Sequence, residues 1–265
     1  MVADEIVLTG GNISQVTSDG DIVFKETKPY SATVHRLLKH LEKKGANFCP
    51  RFLGIDQYGR EKLSFVRGTT MEDYPCCQEL KDKIKVVRAA ADLLKKLHAA
   101  TADYQLEASD QWFLEYTGDL VKEVICHNDF APYNVTFEND LPVGIIDFDT
   151  ACPAPREWDI AYAVYRFVPL SKEFYDPSEK AYRSYDKTKD AKERKILLKE
   201  FLDSYGIKTD IGKHIIDRLE ALVKLFDEEC KKGNEAFLRM NQEGHQELYR
   251  KEIEFIKENI ADWID

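Results

Sequence analysis

The chain has no apolar run approaching the roughly 18 uninterrupted residues that span a bilayer. It has no G-x-x-x-x-G-K-S/T loop, which excludes a P-loop enzyme. Its six cysteines form no C-x-x-C pair and no zinc-like spacing with histidine. Adjacent Cys76 and Cys77 could hardly bridge each other without strain, so free thiols in a reducing compartment are expected. The start, Met1-Val2-Ala3-Asp4-Glu5, lacks the basic and apolar regions of a signal peptide, which predicts a chain that stays in the cytoplasm. Positive charge is also short. Lys and Arg number 38 against 48 Asp and Glu, a net charge of -10 that argues against nucleic acid or an anionic membrane as partner. The deficit is uneven: residues 1–70 carry ten basic and eight acidic side chains, so the remainder carries 28 against 40. The acidic remainder either attracts a cation or simply keeps the protein soluble.

What is present is ordinary globular material: 265 residues, 43% hydrophobic, enough for one large domain or two small lobes. Ile6–Leu8, Ile13–Val16 and Asp21–Lys25, separated by Gly10-Gly11 and Ser18-Asp19-Gly20, predict an antiparallel meander. Gly10-Gly11 is either a turn alone or a loop whose bare N–H groups approach a phosphate. Lys25 closes the third strand, either as an edge lysine or as a cation for phosphate oxygens. Ser31 reads as an N-cap for a helix carrying Val34, Leu37, Leu38 and Leu41 up to Gly45. Phe52–Asp56 and Lys62–Val66 predict a second hairpin, ended by Arg67-Gly68.

A long helix is expected from Gln78 to Thr101, with Leu80, Ile84, Val87, Ala91, Leu94 and Leu97 on one stripe and His98 as a packed structural residue beside it. Residues 102–123 read as a connector with a short helix near Trp112-Phe113-Leu114. Another helix starts at Arg156, with Asp159 accepting N–H groups at its beginning. Residues 171–265 read as mostly helical, with no internal repeat.

The stretch between these parts, Val124 to Asp149, organises the chain. It reads as a short strand, a loop with His127, Asp129 and Asn134, a hairpin turning at Glu138-Asn139-Asp140, and an acidic cluster at Asp147 and Asp149. Closing the hairpin would bring Asn134 beside Asp147 with Asp129 a short loop away. Such oxygen donors suit a hard cation of the Mg²⁺ kind, bound by one or two carboxylates plus phosphates. Paired carboxylates also serve hydrolases, but H-x-D with Asn five residues after the Asp, followed by D-F-D, resembles the protein-kinase loops.

His127-Asn128-Asp129-Phe130-Ala131-Pro132-Tyr133-Asn134, Ile145-Ile146-Asp147-Phe148-Asp149 and Trp158-Asp159-Ile160-Ala161-Tyr162 resemble the aminoglycoside phosphotransferase and choline kinase family, and the order of elements is similar along nearly the whole chain. The resemblance implies an α+β, two-lobed protein-kinase-like fold: residues 1–67 a nucleotide-binding lobe with a small antiparallel sheet and one helix, residues 68–265 a larger, mainly helical lobe with the acceptor site. It implies transfer of the γ-phosphate of ATP or GTP to a hydroxyl of a small, cationic molecule such as an aminoglycoside or amino alcohol, with antibiotic resistance as the setting. By the same resemblance Asp129 is the catalytic base, His127 braces the loop, Asn134 and Asp147 hold Mg²⁺, and Asp159 steadies the loop. Lys25 meets the α/β-phosphates, Gly10, Gly11 and Asn12 form the nucleotide loop, and Phe65 and Val66 lie in the hinge that hydrogen-bonds the base. Asp149 is either structural or an attractor for a cationic acceptor. The expected partners are nucleotide and acceptor, with the chain a monomer or weak dimer. The alternative is a kinase-like protein that protects by sequestering nucleotide or a toxin. One departure stands out: the helix after Lys25 should carry an acid near its start to pair with the lysine, yet Val34-His35-Arg36 stands there and Glu42 comes late.

Overall fold

The computed structural model describes residues 5–8, 16–71 and 77–264. The expected nucleotide loop, Gly10, Gly11 and Asn12, lies outside the described residues. The chain forms two compact units, Met1–Met71 with Lys95–Arg156, and Glu72–Leu94 with Glu157–Asp265.

In the first unit, β1 (Ile6–Leu8), β2 (Val16–Ser18), β3 (Ile22–Glu26), β4 (Phe52–Ile55) and β5 (Arg60–Ser64) form one antiparallel sheet in the order β1-β2-β3-β5-β4. The β2–β3 turn is closed by Asp19, whose carboxylate accepts from the Ile22 N–H at 2.9 Å, with Gly20 at φ +104°. Helix α1 (Ser31–Lys43) buries Leu37, Leu38 and Leu41 almost completely. Each such side chain contributes about 1.5–3 kcal/mol relative to exposure. Ser31 is the first helical residue rather than the cap; its hydroxyl instead accepts from the Lys28 N–H at 2.9 Å, bracing the entry turn. The helix ends as expected at Gly45 (φ +75°), whose N–H reaches Glu42 O while Ala46 N–H reaches Leu41 O, the paired bonds of a Schellman turn.

The stretch around His127 in this unit holds β6 (Val124–Cys126), β7 (Val135–Glu138), β8 (Leu141–Ile145) and β9 (Cys152–Ala154). β7 and β8 form the expected hairpin, joined by Asn139 and Asp140, both at positive φ as a two-residue primed turn requires. β9, which the sequence reading did not separate, pairs with β6 and ties the segment after Asp149 back to the strand before His127. The short helix expected near Trp112-Phe113-Leu114 is absent. That stretch is irregular, with its Gln111 N–H taken by Thr33 Oγ1 at 2.8 Å and Asp110 paired with Arg36. Gly68, at φ +109°, lies where a Cβ would meet Phe137 O at 2.8 Å, so the chain can pass only as glycine before Thr69 bridges to Phe137.

The long helix α2 (Leu80–Thr101) contributes its first part to the second unit, which also contains α3 (Arg156–Phe167), α4 (Lys187–Tyr205), α5 (Ile211–Lys231), α6 (Glu235–Gln242) and α7 (His245–Asn259). No helix among the described residues is long and apolar enough to cross a membrane. α5 packs on α6 and α7, with Phe226 and Phe237 edge to face at 5.1 Å. One correction is needed to the helical reading of residues 171–265: β10 (Glu173–Asp176) and β11 (Ala181–Ser184) make a hairpin before α4.

Arg183 of that hairpin donates to Asp176 at 2.5 Å and, through both terminal nitrogens, to Asp190 of α4 at 2.8 Å. Burial opposes ionisation of both acids, yet these bonds, with Ser178 for Asp176 and the Asp186 N–H for Asp190, hold both carboxyls below their ordinary value of 3.8. Lowered carboxyl pKa values contribute stability above the unfolded value that is lost as pH falls through the folded one. Arg183→Met is therefore expected to unfold at a lower temperature than the parent at pH 7, with the gap closing as pH falls below about 4. Thermal midpoints across that range check this; a gap independent of pH contradicts it.

Candidate active site

The hairpin closes as the residue pattern requires. Ile146 N–H donates to Asn134 O at 2.9 Å, placing the end of β8 against the loop that precedes β7. Asp147 follows at φ +61°, a left-handed conformation that aspartate tolerates better than most residues. Phe148 is buried and packs edge-on against His127 at 4.9 Å.

His127 is fully buried. Its Nε2 donates to Ile146 O at 2.9 Å and its Nδ1 accepts the Asp129 N–H at 3.3 Å, bonds that call for the neutral, Nε2-protonated ring. The imidazole thus links the loop carrying Asp129 to the strand delivering Asp147. Asn128, at φ +65°, donates to Thr150 O at 2.9 Å and to Cys152 Sγ at 3.2 Å, and Thr150 Oγ1 donates to His127 O at 2.9 Å.

Asp129 accepts from Asn134 Nδ2 at 2.7 Å on one oxygen and from the Tyr133 hydroxyl at 2.6 Å on the other. The sequence reading did not single out Tyr133. Its spacing of four from Asp129 across a tight Ala-Pro turn was the available signal. Because Asn134 donates through its nitrogen, its amide oxygen is the atom it can offer a cation.

Lys25, on β3 and 7% exposed, reaches this cluster. Its ammonium lies 2.7 Å from Asp147 Oδ1 and 2.8 Å from Asp149 Oδ2. Burial alone would lower the lysine pKa, but the two carboxylates outweigh it and raise it. Protein atoms around the Asp147 carboxyl disfavour its charge, although the side chain as a whole is 47% exposed, and Lys25 nevertheless holds it below the usual range. Asp149 is shifted the other way, up, by burial and by the charge of Asp147 in spite of Lys25. Asp149 also accepts from the Tyr30 hydroxyl at 3.2 Å. The acid missing from α1 is thus replaced by two from the segment after β8, and Asp149 is a lysine partner.

Asp147, Asp149 and the Asn134 amide oxygen are hard donors of the type Mg²⁺ selects, and the exposed Asp147 is the one turned outward. The residues present fit a magnesium ion, which Asn134 and Asp147 would hold. Of the expected hinge, the Phe65 N–H is already used, donating to Asp21 O at 2.8 Å. Beside Phe65 and Val66 lies a groove of about 440 Å³, also lined by Phe48, Cys49, Arg51 and Glu138. Neither Lys25, Asp129 nor Asp147 lines it, so it is separate from the acidic cluster. Asp159, in the first turn of α3, and His98 are fully buried.

Known proteins resemble this chain in sequence and in fold. Residues 104–192 match the phosphotransferase enzyme family. The trifolitoxin immunity protein of Rhizobium leguminosarum bv. trifolii is 35% identical over 178 residues, a match spanning 65% of this chain and 64% of that relative. Among solved structures, the gentamicin complex of APH(2″)-IIa superposes with a TM-score of 0.56 at 16% identity, covering 96% of this chain and 90% of that one. The ADP-bound aminoglycoside phosphotransferase APH(2″)-Ib gives 0.54 at 14% identity, over 99% and 95%. A choline kinase from Cryptosporidium parvum Iowa II gives 0.53 at 12%, over 94% and 91%. At these identities the structural likeness establishes the fold. Residues 104–192 therefore carry the phosphotransferase family pattern, and the chain has the two-lobed kinase-like fold of aminoglycoside phosphotransferases and choline kinase.

Proposed function

We propose that this protein is a magnesium-dependent small-molecule kinase that moves the γ-phosphate of ATP or GTP to a hydroxyl of a cationic acceptor. The observation that carries this reading is the joining of Asp129, Asn134, Asp147 and Lys25 through one set of hydrogen bonds and ion pairs. Phosphoryl transfer asks little covalent chemistry of a protein; it needs alignment of nucleophile and phosphate and compensation of charge on the phosphate oxygens. Asp129 receives the acceptor's proton, with His127 fixing its loop. Asn134 and Asp147 would hold Mg²⁺, which when bound would supply positive charge to the phosphates, and Lys25 adds a fixed cation. Gly10, Gly11 and Asn12 would close over the nucleotide, and the backbone near Val66 would meet its base. In this reading residues 1–67 serve the nucleotide and residues 68–265 the acceptor, in the cytoplasm where nucleotide is supplied.

The acidic remainder of the chain favours a positively charged acceptor. The relative named as an immunity protein supports a protective role, in which a toxic compound is phosphorylated. Labelled ATP and GTP, offered with aminoglycosides, choline-like alcohols and amino sugars, test the reading. Transfer of label to at least one acceptor, abolished by chelating magnesium, is expected. Tight acceptor binding without transfer would instead favour sequestration.

A further inference from the structure

Lys25 is a buried cation, and in the structure Asp147 and Asp149 share it. Were Asp147 to hold a metal ion, Asp149 alone would remain on the ammonium, and a second carboxylate would be needed to keep the lysine aimed at the phosphates. Helix α1 cannot supply one: its first turn holds no acid. The buried position where an acid is missing is His35, and its ring leads to a different carboxylate. His35 Nε2 lies 2.5 Å from Glu61 Oε2. The ring is clamped against Phe52, stacked at 3.8 Å between centroids with 18° between planes. Glu61 is 3% exposed, which a carboxylate tolerates only when it is paired.

Register places Glu61 where it matters. Lys25 on β3 and Glu61 on β5 are direct cross-strand partners, so both side chains leave the same face of the sheet with Cβ atoms about 4.5–5.5 Å apart.

We propose that Glu61, braced by His35, is the positioning residue that holds Lys25 toward the nucleotide phosphates, serving from the adjoining strand the purpose for which α1 lacks an acid. Opposite charges directly across an antiparallel pair stabilise each other, and a strand partner keeps that relation whether or not α1 shifts. His35 is then a strut: it fixes the rotamer of Glu61 and leaves the carboxylate's second oxygen available to the lysine. This rests on the nucleotide reading of the site.

The test is calorimetric titration with magnesium and the non-hydrolysable analogues adenylyl and guanylyl imidodiphosphate, on the parent, Glu61→Gln, Lys25→Met and the double variant. Glutamine keeps the size and a hydrogen bond to His35 while removing the charge. Glu61→Gln is expected to weaken binding about tenfold, within the range of coupled neighbours, and to add nothing further when Lys25 is already methionine. A merely structural glutamate would lower the thermal midpoint and weaken binding on both backgrounds alike. Equal affinity of Glu61→Gln and parent, or additive losses in the double variant, overturns the proposal alone. A parent that binds neither analogue overturns the nucleotide reading and this inference with it. If Glu61→Gln does not fold, His35→Gln replaces it, with a several-fold weakening that again disappears in the Lys25→Met background; the same two contrary results apply.

Discussion

Asp129→Asn is expected to lower phosphotransfer to any accepted hydroxyl by about 10²–10⁴-fold, the usual worth of a positioned general base, while nucleotide affinity stays within about twofold of the parent because the asparagine's own amide oxygen can still accept from Asn134 and keep it in place. The carboxylate has two jobs. One oxygen accepts from Asn134 and so would, on the proposed reading, orient its amide oxygen toward a metal; the other accepts from the Tyr133 hydroxyl at 2.6 Å. That second oxygen is where an acceptor hydroxyl would dock, so Tyr133 marks the place of the nucleophile. Asparagine fills the same volume but can present an acceptor to only one of the two donors, and it cannot take a proton. Steady-state transfer rates with parallel nucleotide titrations check this. Transfer within tenfold of the parent would remove Asp129 from the role of base, and a matching loss of nucleotide affinity would make it a metal-site residue.

Arg194→Met is expected to reduce folding stability by about 3 kcal/mol without touching the site. Arg194 is 1% exposed on α4 and donates to Leu170 O at 3.1 Å and Ser171 O at 2.8 Å. Its guanidinium lies 4.2 Å from the Tyr185 ring centroid and 4.8 Å from that of Trp263. Burial lowers its pKa to about 10, still well above neutrality, so the group remains charged in spite of its surroundings. Methionine fills much of the volume, but two carbonyls lose their donor at about 1–3 kcal/mol each, and the aromatic contacts lose a cation worth about 2 kcal/mol when desolvated. Relief of the arginine's own desolvation offsets part of the sum. Urea unfolding reads the result as a lower midpoint with unchanged slope. A loss under about 1 kcal/mol would mean that desolvation cancels the bonds Arg194 makes.

The elements set by local signals were legible from the residues. Turn chemistry at Ser18-Asp19-Gly20 and Glu138-Asn139-Asp140 and the apolar stripe of α1 and α2 depend on neighbours in sequence, and each stands within a few residues of its expected place. The pairing of Asp129 with Asn134 was legible for the same reason, since the two meet within one turn, whereas the Tyr133 hydroxyl beside them was not singled out. What could not be read depends on partners far away. Lys25 finds its acids 122 and 124 positions later, and Glu61 comes opposite it only through the β3–β5 register, which no periodicity announces. The β10–β11 hairpin was read as part of a helical tail, because its strands are only four residues each and depend on Arg183 reaching Asp190 across to α4. Trp112-Phe113-Leu114 suggested a helix from composition, but the stretch is fastened to α1 through Gln111 and Asp110, and those bonds outweigh three residues' propensity.

On the proposed reading Lys25, Asn134 and Asp147 would form a metal–nucleotide site. Titration of the parent with ATP and with GTP analogues, with and without magnesium, tests it most directly. Saturable binding to at least one nucleotide, tightened by magnesium and with that tightening lost in Asp147→Asn, is the predicted result. Binding indifferent to magnesium, or no binding of either nucleotide, would contradict it.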